Sequence, residues 1–301
     1  MVMTGRQYEI SLGGQWAVIT EVGAQLRGYR VDGRDVTHVN DADELPPKSS
    51  GAVLMPWPNR IRRGKYSFAG VDQQLALSEP ALGNASHGLA AWARWSVDEH
   101  TADEVRLHCD VVAQRGWPFE LRTQMSYRLD PHLGLVVTMG AENQGRSAFP
   151  FGAGCHPYVS LGETPLEDAV VTVPAATRLE TDEAQIPVRA VAVEGTDWDL
   201  RSGRRLGDLR LDTAYTDLAP DEDGTVRVQV RAGDVTTTVW MDFPSFQVTQ
   251  LFTLPDLGGG GPAIAVESMT CPANAFNSGD HLRVLEPGGS WTGRWGITPS
   301  L

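Results

Sequence analysis

The chain has 301 residues, 41% of them hydrophobic and 21% charged, with 32 Gly and 19 Pro. That excludes coiled coil, collagen and disorder, and a chain this long buries enough surface to fold without staples. The formal net charge of −13 repels phosphate backbones and anionic membranes, which argues against nucleic acid or a lipid surface as partner.

In chain order, period-2 alternation predicts strands over 15–21, 25–31, 65–69, 92–98, 104–113 and 119–130. It continues over 133–143, 169–174, 225–231, 235–243, 246–252 and 263–267. Turn signals separate them, among them VDGRD, DPHLG, DEDG and RAGD. No window carries a helical stripe, so helices should be few and short. The fold class is all-β, a large antiparallel β-sandwich formed as one domain over 1–301. The run Gly258–Gly261 reads as a loop between strands, since no strand and helix flank it as a phosphate cradle requires.

Three scattered cysteines, Cys109, Cys155 and Cys271, form no CxxC and read as reduced thiols. The N-terminal stretch lacks the basic and apolar regions of a signal peptide, and no apolar run approaches a membrane span. The expectation is a cytoplasmic protein, monomer or homodimer. No metal is expected, because the seven histidines show no HxH, HxxH or HExxH spacing.

Four stretches could carry chemistry. Pro56-Trp57-Pro58-Asn59-Arg60-Ile61 is too proline-rich for a helix or a central strand and reads as a rigid loop. Arg60 could present its fork of donors to sugar hydroxyls, or simply pair with a carboxylate. Trp57 offers an indole face on which a sugar could stack. The small, polar Gly83–Gly88 loop carries His87, and Gly154-Cys155-His156-Pro157-Tyr158 carries His156. Cys155 and His156 are adjacent on extended chain, so they point to opposite faces and cannot form a dyad. Over 263–267, alternation puts Ala263, Ala265 and Glu267 on one face. A carboxylate there needs a partner or a raised pKa, unless it is an edge residue facing water.

PWPNRIRRGKYSFAG, NASHG, CHPY, LDTAYTDL and VESMTCPANAFN, in that order over about residues 50–280, resemble the aldose 1-epimerase (galactose mutarotase) family. The resemblance implies the large β-sandwich of that family, no cofactor, and a free aldohexose as substrate. It places the catalytic base on Glu267 and the catalytic histidine on His156. Substrate-binding roles fall on Arg60, His87 and Asp212, with Gln247 of FPSFQV as the pocket glutamine. Val159-Ser160-Leu161 stands where typical members carry Phe-Asn-Leu, and Gly88-Leu89 where they carry two glycines. The implied activity is α/β anomer exchange, with Glu267 as base and a protonated His156 as acid. Alternatives are a hexose-6-phosphate 1-epimerase using Arg62, Arg63 and Arg94, a glycosidase using Glu267 and Asp212, and a non-catalytic sugar-binding or sensor protein.

Overall fold

The computed structural model describes residues 2–300; the ends of the expected 1–301 domain, Met1 and Leu301, lie outside the described residues. Two large antiparallel sheets dominate. A nine-stranded sheet runs from the Ser96–His100 edge to Arg204–Arg205, with Gly134–Asn143 and Ser290–Ser300 paired at its centre. The alternation in Leu121–Asp130 is regular, buried and accessible residues taking turns, so one face of this sheet enters the core.

An eight-stranded sheet carries Pro187–Ala192, Ala175–Thr181, Asp212–Leu218, Val248–Leu254, Ala263–Met269, Gly154–Cys155 and Val53–Leu54 in that order. Tyr158–Ser160 also pairs with Ala263–Met269. The inward faces of both sheets meet in one continuous apolar cluster that includes Val137, Trp295, Leu251, Ile264 and Val266. Every residue of Ala263–Met269 is buried. Ile264 and Val266 face that core, which leaves Ala263, Ala265 and Glu267 on the outer face of the sheet.

Among the described residues helix is confined to Ala275–Ser278 and three 3-10 turns, as the lack of a helical stripe predicts. The expected strand over 92–98 begins only at Ser96, because Ala90–Trp92 is a 3-10 turn. Arg60–Arg62, expected as loop, forms a short strand against Asn84–Ser86, with the prolines just outside it. The four-glycine run does connect Val248–Leu254 to Ala263–Met269. Cys109, Cys155 and Cys271 are buried and unpaired. No helix among the described residues is long and apolar enough to cross a membrane.

Candidate active site

The outer face of the eight-stranded sheet forms the floor of a cleft of about 380 Å³. Register builds the floor in rows. Ala214, Gln250 and Glu267 are cross-strand partners, and one pleat further on Asp212, Phe252, Ala265 and Tyr158 form the next row. Two strands that alternate cleft-facing with core-facing residues thus deliver Gln250 with Phe252, and Glu267 with Ala265.

His156 arrives from the turn after Gly154–Cys155. Its backbone N–H donates to Ala52 (3.1 Å), and its carbonyl accepts from Gly51 (2.9 Å). The imidazole stacks on Tyr158 with ring centroids 5.0 Å apart, and the Tyr158 hydroxyl donates to the Lys48 carbonyl at 3.1 Å. Cys155 points the other way, toward Ser268 in the interior, so the two neighbours do take opposite faces.

Arg60 and His87 come from the small sheet above the floor. Arg60 pairs with Ser86 across it, and the His87 N–H donates to the Asn59 carbonyl at 2.9 Å. Asn59, His87 and Gly88 all have positive φ, a run of left-handed backbone that turns the chain toward the cleft. The late PANAFN segment contributes indirectly. Asn274 donates its N–H to the Arg60 carbonyl (2.6 Å), and its side-chain oxygen accepts from the Arg62 N–H (3.1 Å). It ties the Arg60 strand to the end of the Glu267 strand.

At the centre, His156 Nε2 lies 3.4 Å from Glu267 Oε1, with both residues almost wholly buried. The His87 ring meets the His156 ring edge-on at 5.4 Å. Gln250 Nε2 donates to Asp212 Oδ1 at 2.6 Å. Arg60 donates through Nε and Nη2 to the two oxygens of Glu79 at 2.8 and 2.9 Å. Arg60 thus lines the cleft and also pairs with a carboxylate. Glu267 Oε2, His156 Nδ1 and His87 Nδ1 are buried with no protein hydrogen-bond partner. Water or a bound molecule could satisfy such atoms on three cleft-lining residues.

Burial governs the protonation states. Desolvation, then the neighbouring Asp212, push the Glu267 carboxyl well above the usual carboxylate range. Desolvation also raises Asp212. His156 is held well below an ordinary imidazole by desolvation, His87 and Arg60, and His87 is pushed down to about 3 by desolvation and Arg60. This corrects the expectation of a protonated His156. Burial here disfavours both the imidazolium of His156 and the carboxylate of Glu267.

Two expected site residues lie elsewhere. Trp57 is buried in the core against Phe276 (5.8 Å) and Trp117 (6.3 Å), so its face is closed to a sugar. The exposed indole at the cleft is Trp92. Gln247 lies off the cleft and donates to the Pro244 carbonyl at 3.3 Å; the cleft glutamine is Gln250. Of the arginines considered for a phosphate, Arg62 pairs with Asp182 and Arg94 with Glu21, and neither they nor Arg63 line the cleft. Sequence reading missed Glu79, Tyr158 and Gln250. Alternation from His156 points to Tyr158. Among the described residues no group of three or more His, Cys, Asp or Glu side chains is arranged to hold a metal ion.

A family model for aldose 1-epimerases matches residues 6–298. The uncharacterized protein YihR of Escherichia coli K12 is 31% identical over 291 residues, spanning 96% of this chain and 91% of that protein. Human galactose mutarotase is 31% identical over 166 residues, 52% of this chain and 46% of that enzyme. Among solved structures, a GalM/aldose epimerase homologue from C. elegans matches with a TM-score of 0.85 at 18% identity, covering 98% of both chains. Galactose 1-epimerase from Lactobacillus acidophilus NCFM matches with a TM-score of 0.79 at 19% identity, covering 96% of this chain and 92% of that one. These likenesses give the fold, a galactose mutarotase-like β-sandwich, and the matched residues take in both sheets and the cleft. The chain belongs to the aldose 1-epimerase family.

Proposed function

We propose that this protein is a mutarotase that interconverts the α and β anomers of a free aldohexose by general acid–base catalysis. The observation that carries the reading is the buried His156–Glu267 pair, 3.4 Å apart on the cleft floor and flanked by orphaned polar atoms. The pair holds one proton, on Glu267 before substrate binds. Transfer across the 3.4 Å contact gives a carboxylate and an imidazolium. Glu267 then takes the proton of the C1 hydroxyl as the C1–O1 bond becomes a carbonyl. The C1–ring-oxygen bond breaks, its electron pair goes to the ring oxygen, and His156 protonates that oxygen. Rotation about C1–C2 presents the other face of the aldehyde, and the same two groups run the steps backward. Arg60, His87 and Asp212 hold the sugar hydroxyls.

A phosphorylated hexose fits less well, because Arg60 is engaged by Glu79 and the other candidate arginines lie off the cleft. A binding or sensor protein would need neither member of the acid–base pair. Polarimetry on freshly dissolved α-D-glucose and α-D-galactose tests the proposal. Wild type should accelerate the approach to equilibrium, and Glu267→Gln or His156→Gln should lower kcat/KM by at least about 100-fold with the fold intact. Wild-type rates in either variant would sink the assignment.

A further inference from the structure

Glu79 takes no part in the steps above, yet it makes a two-pronged ion pair with Arg60 on the cleft wall. It sits on the loop that enters Asn84–Ser86, the strand paired with Arg60–Arg62. The loop is closed on itself. The Glu79 N–H donates to the Asn84 carbonyl (3.0 Å), and the Asn84 N–H donates back to the Glu79 carbonyl (3.1 Å). Asn84 is anchored in turn, its Nδ2 donating to the Ala184 carbonyl at 2.8 Å. One element therefore presents both Arg60 and its carboxylate partner.

The pair is two-pronged and partly buried, with 16% of the Arg60 side chain and 26% of the Glu79 side chain exposed. A fork-to-fork contact of this kind fixes the guanidinium plane as well as its position. It engages two of the five guanidinium N–H groups, that of Nε and one on Nη2, and Nη1 donates a third to Asn59 Oδ1 at 3.3 Å, which leaves one N–H on Nη1 and one on Nη2 for a ligand.

Charge gives the pair a second consequence. Arg60 acts on both members of the acid–base pair, lowering the affinity of Glu267 and of His156 for a proton. The titratable and charged groups around Glu267 are Asp212, Arg60, His156 and Tyr158, with Cys155 on the core side, and those around His156 are His87, Tyr158, Arg60 and Glu267. Arg60 is the one cation among them, and Glu79 is its neutralising partner.

Resting on the mutarotase reading, we propose that Glu79 is a positioning residue for that reaction. It holds Arg60 with one N–H of Nη1 and one of Nη2 free for the sugar, and its charge offsets part of the charge Arg60 places on the Glu267–His156 pair. Without Glu79, Arg60 would wander and its full charge would favour loss of the pair's proton.

A double-mutant cycle with pH profiles tests this. Glu79→Gln keeps the shape and removes the charge. In an otherwise wild-type chain it should lower kcat/KM for glucose on the order of tenfold and move the alkaline limb of the kcat/KM profile to lower pH. Glu79→Asp should recover part of the loss. In an Arg60→Ala background the same Glu79→Gln change should have little further effect on either quantity, because Glu79 acts through Arg60. A loss of equal size in both backgrounds, an unmoved alkaline limb, or wild-type behaviour of Glu79→Gln would overturn the proposal. Sugar affinity, measured by titration across the same four proteins, separates this from the mutarotase reading. If no aldose is turned over, that reading falls, and non-additive affinities still decide for Glu79 holding Arg60 while additive ones decide against it.

Discussion

At the scale of single residues, two aromatic and amide positions exchange roles. Trp57 stands in a proline-rich loop beside Arg60, where sequence reasoning gives it to the sugar. Its ring instead fills the core with Trp117 and Phe276. Trp57→Phe should lower the melting temperature while leaving KM for glucose unchanged; a raised KM with unaltered stability would return it to the cleft. The glutamines divide in the same way. Gln250→Leu removes the donor that holds Asp212 and should raise KM several-fold, whereas Gln247→Leu should change it by less than about twofold, read from initial-rate kinetics. Sequence motifs brought Arg60, His87, His156, Asp212 and Glu267 to light because each chemistry-bearing side chain sits in a short local pattern. Gln250 has no such pattern. It is fixed by its register opposite Glu267, a relation between strands that only pairing reveals. The protonation of His156 was illegible for a similar reason, since burial by remote residues sets it.

At the scale of elements, uninterrupted strand patterns were legible, the wholly buried Ala263–Met269 among them, and interrupted ones were not. Leu121–Asp130 alternates cleanly and was read almost to the residue. Ser290–Ser300 went unread although it lies at the centre of the larger sheet, because glycines at 293 and 296 interrupt its alternation. Their role is visible in the packing. A side chain at either position would strike an indole, that of Trp291 or that of Trp240. Gly88 shows how an element positions the site. Its φ is +73°, and a Cβ there would collide with the Met55 carbonyl, which also accepts from the N–H groups of Leu89 and Ala90 at 2.8 and 3.0 Å. Gly88→Ala must therefore push the chain away just after His87. The expected outcome is a lower melting temperature together with a loss of turnover larger than that of Gly83→Ala. Gly83 has positive φ but open space around it, so the paired variants separate backbone strain from collision.

At the scale of the whole molecule, the sandwich allows titratable groups to be buried against an apolar core and still open to a cleft. That arrangement couples the site to stability. His87 titrates at about 3 in the folded protein and near 6.5 when unfolded. Between those values the unfolded chain takes up a proton that the native protein refuses, so stability falls as pH drops from about 6.5 toward 3. His156, lowered for the same reason, has the same sign. Glu267 and Asp212 have the opposite sign. Their raised pKa values mean the native state keeps protons that the unfolded chain has released, so each adds stability as pH falls toward its ordinary range. The wild-type profile mixes both, and a difference isolates one. Urea unfolding of wild type and His87→Gln at steps from pH 7 to pH 4 should show wild type losing more stability on acidification, with the gap widening steadily below about pH 6.5. Parallel profiles would mean that His87 titrates in the native protein as it does in the unfolded chain. The neutral imidazole proposed to hold a sugar hydroxyl beside Arg60 would then be protonated over the same pH range.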